Sequence, residues 1–270
     1  AMSEAKAIAF AADAASRASK AMAKKRADRA LAFAEAAVAA RPTNADYRML
    51  LGQVYLAAGR FQSAETSFSD ALTLDPNRER AALNLALSQV ALGKQAAAKS
   101  TLAEYREKLA AADYGLATAL AGDPGEAVRV LEAAARGPGA DAKTRQNLAL
   151  AYALNGQWTN AKVLAVQDLS PAEADVRLVQ WASFAKPTGS YDQVASLLNV
   201  RPVADAGQPT RLALVPSNSQ VASIAVPLAA PAAVVALPEP TPPTPVAEIA
   251  QIDPTPVADT AQPAFETAPT

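Results

Sequence analysis

The feature that most constrains the fold of this chain is a spacing of about 34 residues that recurs through residues 1–200. Residues of the same type return at this spacing, namely a glycine pair, a proline pair and three alanines: Gly59 and Gly93, Pro42 and Pro76, and Ala30, Ala64 and Ala98. Fixed periods of roughly 20 to 50 residues are typical of solenoid proteins, whose units bury their apolar faces by stacking on one another. The sequence therefore predicts a stack of similar units.

The unit at residues 45–78 indicates what each unit looks like. It combines one small residue, Gly52, with two large apolar residues, Tyr55 and Phe68. Pro76 marks the end of a helix, because proline has no N–H to donate and its ring clashes with the preceding turn.

The same unit resembles the tetratricopeptide repeat (TPR), a helical hairpin with this same period. The resemblance implies that Gly52 lies where the two helices cross closely, and that Tyr55 and Phe68 fill the space between neighbouring hairpins. The residues that carry the resemblance are Leu51, Gly52, Tyr55, Gly59, Ala64, Phe68, Ala71 and Pro76, at repeat positions 7, 8, 11, 15, 20, 24, 27 and 32. Arg48 departs from the pattern, because it stands at position 4 where the family has tryptophan.

The predicted fold is all-α, a right-handed TPR-like α-solenoid of about five helical hairpins plus a capping pair. The predicted repeats cover about residues 11–44, 45–78, 79–112, 113–141 and 142–175, and the capping pair covers 176–200. The fourth of these units is shorter than the others, and the cap carries Trp181 and Phe184.

Composition changes sharply at residue 200. Fourteen of the 20 prolines but only one aromatic residue, Phe265, fall in residues 200–270. So few large apolar groups cannot bury enough surface to offset the entropy lost on ordering, so residues 201–270 are predicted to form a disordered, Pro-rich C-terminal linker or tail. The apolar stretch 221–237 is shorter than a typical membrane-spanning helix and contains two prolines, so we expect no membrane span there.

Composition also argues against several classes of function. The chain has no cysteine and no histidine, which removes thiolate and imidazole nucleophiles, bases and metal ligands. Its 25 Lys and Arg residues are balanced by 26 Asp and Glu residues, so no bulk positive charge favours nucleic acid. We expect a non-enzymatic binding scaffold with no cofactor and no metal.

The TPR resemblance implies a partner-binding groove on the concave face, which the first helix of each unit lines. Carried over position by position, the groove residues are Gln53, Arg80, Asn84, Leu87, Lys143, Asn147 and Leu150. Asn84 and Asn147 lie at position 6, where asparagines of peptide-binding members hydrogen-bond the bound backbone, and a cation precedes each by four residues. The alternative is that asparagine only tolerates an exposed helix face.

Four segments carry a more specific resemblance, at residues 144–158, 167–173, 192–200 and 203–214. They are similar to alphaproteobacterial TPR proteins of the TadD-like Flp pilus assembly type or the SPOR-domain type. The resemblance implies a periplasmic scaffold that binds a protein or peptide partner in envelope or Flp/Tad pilus-type assembly. Because no signal peptide opens the chain, a cytoplasmic location is the alternative.

Two other functions stay open at this point. The first is a cell-wall-associated factor, localised to peptidoglycan by a SPOR domain that this sequence does not include. The second is a glycan hydrolase, which requires two converging carboxylates. Asp46 is the only acid among the predicted groove positions, so hydrolysis is the weaker alternative.

Overall fold

The computed structural model describes residues 3–187, 189 and 191–214. Within these residues the chain forms α-helices and one turn of 3₁₀ helix, Thr210–Leu212, and no strand. The helices are α1 (Glu4–Ala23), α2 (Ala27–Ala40), α3 (Ala45–Ala57), α4 (Phe61–Leu74), α5 (Glu79–Ala91), α6 (Gln95–Tyr105), α7 (Ala111–Leu120), α8 (Pro124–Arg136), α9 (Ala142–Leu154), α10 (Trp158–Ala165), α11 (Pro171–Ala185) and α12 (Asp192–Leu198). The all-α solenoid prediction is confirmed.

Local sequence explains where many helices begin and end. Asn44, Asp123 and Asp141 cap α3, α8 and α9, because each side chain accepts a hydrogen bond from a backbone N–H of the first turn. The turns within hairpins contain glycines in the left-handed region, with φ of 71° at Gly59 and 77° at Gly156. Only glycine adopts this conformation freely, which accounts for the glycines that recur in the sequence.

Successive helices pack as hairpins, α1 with α2 through α9 with α10, and neighbouring hairpins stack. Tyr55 and Phe68 are fully buried, as predicted for residues that fill the space between hairpins. A Cβ at Gly52 would lie 2.6 Å from Phe68 Cε1, which confirms that a side chain is excluded where α3 and α4 cross. Gly115 and Leu131 repeat this close approach in the hairpin of α7 and α8.

The last two helices differ from the predicted capping pair. Helix α11 packs on α9 and α10, whereas α12 packs on α5. Val194 and Ala195 of α12 belong to the same buried cluster as Leu87 and Val90 of α5. Gln193 Nε2 of α12 donates a hydrogen bond to the carbonyl of Phe184 in α11 at 2.6 Å. The apolar surface of α5 explains this return, because α12 removes it from water.

Residues 201–214 also differ from the sequence prediction, which assigned them to the disordered tail. They lie against α2, α3 and α4, and Leu212 is buried in the main core. The prediction rested on average composition, which does not register a few specific hydrogen bonds. The rest of the predicted tail, residues 215–270, lies outside the described residues. Among the helices of the described part, none is long and apolar enough to cross a membrane.

Candidate functional site

A cavity of about 560 Å³ opens on the face formed by the first helices of the hairpins. We call it the α9–α11 pocket. Helix α9 contributes Gln146, Asn147 and Leu150, α7 contributes Leu116, and the wall opposite comes from α11 and α12. The pocket therefore lies at the C-terminal end of the solenoid, where α9 and α7 form one wall and α11 and α12 form the other.

Helix α9 is held in place by hydrogen bonds in its first turn and by hydrogen bonds to neighbouring segments. Asp141 caps its first turn by accepting hydrogen bonds from the N–H and Oγ1 of Thr144. Arg145 Nε donates to Asp168 Oδ2 at 2.9 Å, and this bond lowers the pKa of the Asp168 carboxyl. Asn147 Nδ2 donates to the carbonyl of Ala112 at 2.9 Å, which fixes its amide and leaves Oδ1 as an acceptor.

Helix α11 supplies the second wall of the pocket. Ser170 and Glu173 form a capping box at its start. Arg177, Gln180 and Trp181 line the pocket, and their spacing of three and four residues puts them on one helix face. Trp181 is buried, at 5% exposure, so its ring belongs to the pocket floor.

The lining combines three kinds of chemistry. Leu150 and Trp181 are apolar, Gln146, Asn147 and Gln180 carry amides, and Arg177 carries a positive charge. Amides donate and accept, so they match the alternating N–H and C=O groups of an extended peptide. None of the described residues that line the pocket is a carboxylate, so the pair that glycan hydrolysis requires is not found in it.

The predicted acid of the groove, Asp46, is engaged elsewhere. Its Oδ1 lies 2.7 Å from Nη1 of Arg78, in an ion pair at the junction of the second and third hairpins. Asp46 lies on α3 and is not among the residues that line the pocket, so it supplies no carboxylate there.

The structure brings together two of the seven residues that the sequence predicted for the groove. Asn147 and Leu150 line the α9–α11 pocket. The other five lie on the same succession of first helices but outside that pocket: Gln53 on α3, Arg80, Asn84 and Leu87 on α5, and Lys143 at the start of α9.

The surroundings of these five residues vary. Leu87 is buried in the core cluster that includes α12, Gln53 and Asn84 are half-buried, and Arg80 is exposed. Lys143 Nζ forms an ion pair with Asp113 Oδ1 at 2.6 Å. That any of them contacts a partner stays a prediction.

Sequence reasoning did not select Arg177 and Gln180, and it assigned Trp181 to the cap. A signal was available, because these residues share one face of a helix that begins with a clear capping box. No comparable signal existed for Ser196 and Leu197 of α12, which also line the pocket. Their position depends on the return of α12 to α5.

Comparison with known proteins agrees with the repeat architecture. One family model described as a tetratricopeptide repeat matches residues 21–68, and a second matches residues 49–115. No curated protein matches this sequence.

Solved structures share the fold at low sequence identity. A thermophilic TPR protein of Thermus thermophilus, TTC0263, has a TM-score of 0.51 and 23% identity, covering 64% of this chain and 97% of its own. PilW, a widely conserved type IV pilus biogenesis factor, has a TM-score of 0.53 and 17% identity, covering 70% of this chain and 92% of its own. The family models thus match tetratricopeptide repeats over residues 21–115, and the solved structures show that the fold is shared.

Proposed function

We propose that this protein is a non-enzymatic scaffold that binds an extended peptide or partner segment in the α9–α11 pocket. The observation that carries the proposal is the lining of the pocket, where amides of α9 and α11 stand around an apolar floor. This arrangement provides hydrogen bonds for a peptide backbone and apolar area for one of its side chains.

The orientation of Asn147 supports peptide binding. Its Nδ2 is already bonded to the carbonyl of Ala112, so Oδ1 is held ready to accept from a peptide N–H. A group that is fixed before binding loses little conformational freedom when the partner arrives. Asn147 thus combines the role that the TPR resemblance implied with a geometry that suits it.

The remaining lining residues indicate the type of peptide. Arg177 is exposed and lines the pocket, so its charge is available to a carboxylate. Trp181 and Leu150 supply the apolar floor for an aliphatic or aromatic side chain. We therefore propose a partner segment that carries one acidic and one large apolar residue.

The cellular role is a separate part of the proposal. The resemblance of residues 144–214 to alphaproteobacterial TadD-like proteins supports a periplasmic scaffold in envelope or Flp/Tad pilus-type assembly. PilW is a type IV pilus biogenesis factor with a similar fold, and this likeness supports the fold alone.

Peptide selection tests the pocket. A displayed library of random short peptides is selected on the full chain, and the binders are measured by isothermal titration calorimetry on single variants. Asn147→Ala and Gln180→Ala are each expected to weaken binding about tenfold, because each removes hydrogen bonds to the ligand. Asn84→Ala is the matched control, since it removes a predicted groove asparagine that lies outside the pocket.

The outcomes distinguish a peptide site in the α9–α11 pocket from a peptide site on α5. Loss of affinity with Asn147→Ala and Gln180→Ala but not with Asn84→Ala supports the pocket. Loss of affinity with Asn84→Ala alone would place the peptide on α5 and refute the pocket assignment. Crosslinking with the full chain in an alphaproteobacterial envelope fraction tests the cellular role, which requires pilus or envelope assembly components to be captured by the wild-type chain and lost with Asn147→Ala.

A further inference from the structure

The segment that follows α12 binds across the first hairpins in the manner of a bound peptide. We call residues 203–212 the clasp segment. Asn199, with φ of 51°, ends α12 in the left-handed conformation, and the chain then passes the turn between α3 and α4. There Val203 N–H donates to the carbonyl of Gly59 at 3.2 Å. From this point to Pro209 the segment has no regular secondary structure.

Asp205 is the main polar anchor of the clasp segment. Its carboxylate accepts hydrogen bonds from Ser63 N–H at 2.7 Å, Ser63 Oγ at 2.6 Å and Arg60 Nε at 3.2 Å. Burial alone would raise its pKa, but the hydrogen bonds from Ser63 and Gly207, together with the charge of Arg60, hold the pKa of Asp205 below its usual value. The start of α4 thus binds a specific carboxylate.

The second half of the clasp segment adds an amide and an apolar anchor. Ser67 Oγ donates to Gln208 Oε1 at 2.7 Å, and Gln208 Nε2 donates to the carbonyl of Leu212 at 3.0 Å. The Leu212 side chain is buried, at 1% exposure. Arg211 forms an ion pair with Glu35 of α2. The segment therefore lies between α2 and α4.

Arg48 closes the far end of this cleft. Its Nη1 donates to the Leu212 carbonyl at 2.7 Å and to Asp70 Oδ2 at 2.6 Å, and its Nε donates to the carbonyl of Pro42 at 2.9 Å. Its Nη2 is buried and has no hydrogen-bond partner among the described residues. The residue that departs from the repeat pattern is thus the one that holds the end of the clasp segment.

The cleft differs in character from the other surface that the returning chain covers. On α5, α12 covers the apolar side chains of Leu87 and Val90. In the cleft, the covered groups of α4 are the hydroxyls of Ser63 and Ser67, which can bond to water when the segment leaves. These hydroxyls are hydrogen-bonded by the segment when it is in place and by water when it leaves. The segment also buries the apolar side chain of Leu212, which belongs to the main core cluster.

We propose that the cleft between α2 and α4 is a binding site for an extended peptide of the pattern Asp-x-Gly-Gln-Pro-x-x-Leu. Residues 205–212 of the same chain occupy it in this structure, and the same segment of a second copy fits it equally. The cleft is separate from the α9–α11 pocket, so the inference does not rest on the proposed function. The cleft is lined by residues of α2, α3 and α4 and by the residue that precedes α4. They are Glu35, Arg48, Arg60, Ser63, Ser67 and Asp70.

The test uses a fluorescently labelled synthetic peptide of residues 203–214 and the full chain. One chain is the wild type, and the other carries Asp205→Ala, Gln208→Ala and Leu212→Ala, which weaken the internal occupant and leave every cleft residue intact. By fluorescence anisotropy, the peptide is expected to bind the triple variant at least about tenfold more tightly than the wild type, whose cleft is occupied. Adding Ser63→Ala to the triple variant is expected to abolish this binding.

Binding of the peptide to neither chain, or equally to both, would overturn the proposal. Equal binding of a peptide that carries Asp205→Asn would also overturn it, because the carboxylate is the main anchor. If circular dichroism shows that the triple variant does not fold, hydrogen exchange on the wild-type chain decides instead. The amides of Val203 and Gly207 are then expected to exchange before those of α3, and exchange at the same rate would show that the segment is an inseparable part of the core.

Discussion

Gly59 offers a sharp test of how the clasp segment is held. It lies in the turn between α3 and α4 with φ of 71°, and an added Cβ would collide with the backbone carbonyl oxygen of Arg201. Gly156 is a matched control, because it lies in the corresponding turn between α9 and α10 with φ of 77° and has nothing within 4 Å of an added Cβ. Alanine at either position is strained by the left-handed backbone, but only at Gly59 must the returning segment move.

The expected destabilisation can be worked out from these contacts. The left-handed conformation costs a non-glycine residue about 1 to 2 kcal/mol, which is the whole expected effect of Gly156→Ala. At Gly59 the clash involves backbone atoms, so no side-chain rotation relieves it. Loss of the Val203 hydrogen bond to the Gly59 carbonyl adds about 1 kcal/mol, and release of Asp205 from Ser63 adds about 1 to 2 kcal/mol more. Gly59→Ala is therefore expected to cost about 3 to 5 kcal/mol in total.

Urea unfolding followed by far-ultraviolet circular dichroism measures both variants. In a background that already carries Asp205→Ala, the extra cost of Gly59→Ala over Gly156→Ala is expected to shrink, since part of the docking is already lost. Equal free energies of unfolding for the two alanine variants, within about 0.5 kcal/mol, would refute the reasoning. That result would mean that residues 201–203 are not packed on this turn.

Three further predictions concern the same hairpins. Because the folded-state pKa of Asp205 is depressed, its contribution to stability is present above the ordinary aspartate pKa and is lost as pH falls through the depressed value. The urea midpoint of the wild type should therefore fall more than that of Asp205→Asn between neutral pH and strongly acidic pH, and parallel curves would contradict this. Arg48→Ala leaves Asp70 without its buried partner and should cost about 3 to 5 kcal/mol in urea unfolding, whereas a cost below about 1 kcal/mol would show that the cluster is not buried. Gly52→Ala forces a methyl group against Phe68 and should cost about 1 to 3 kcal/mol, and an unchanged melting temperature would contradict the close crossing of α3 and α4.

The parts of the fold that the sequence predicts are those set within one hairpin or between neighbours. Gly52 and Phe68 belong to one repeat, so their spacing already encodes the close crossing of α3 and α4. The repeat pattern does not encode the path of the chain after α11. The short helix α12 could pair with α11 or return to α5, and the choice depends on the apolar surface that α5 leaves uncovered.

The candidate site also combines features that the repeat pattern encodes with features that depend on the path of the chain after α11. Repeat positions carried over from the family selected Asn147 and Leu150, which line the α9–α11 pocket, because the orientation of both side chains follows from helix register alone. They also selected Leu87, which the structure buries within the core cluster that includes α12. A position-by-position transfer assumes that the groove is open along its whole length. Here a segment from the same chain covers part of it, which no repeat pattern reports.

Arg48 shows that the sequence nevertheless contained a signal for the packing of the clasp segment against the first two hairpins. A tryptophan at its position would have a single donor, the indole N–H, but a buried guanidinium has five and requires several acceptors. Asp70 of α4 and the carbonyl of Pro42, in the turn between α2 and α3, supply two of them, and the third comes from Leu212, which is distant in sequence. A charged residue at a buried repeat position therefore indicates that a polar group distant in sequence contributes an acceptor, and here that acceptor is the Leu212 carbonyl of the clasp segment.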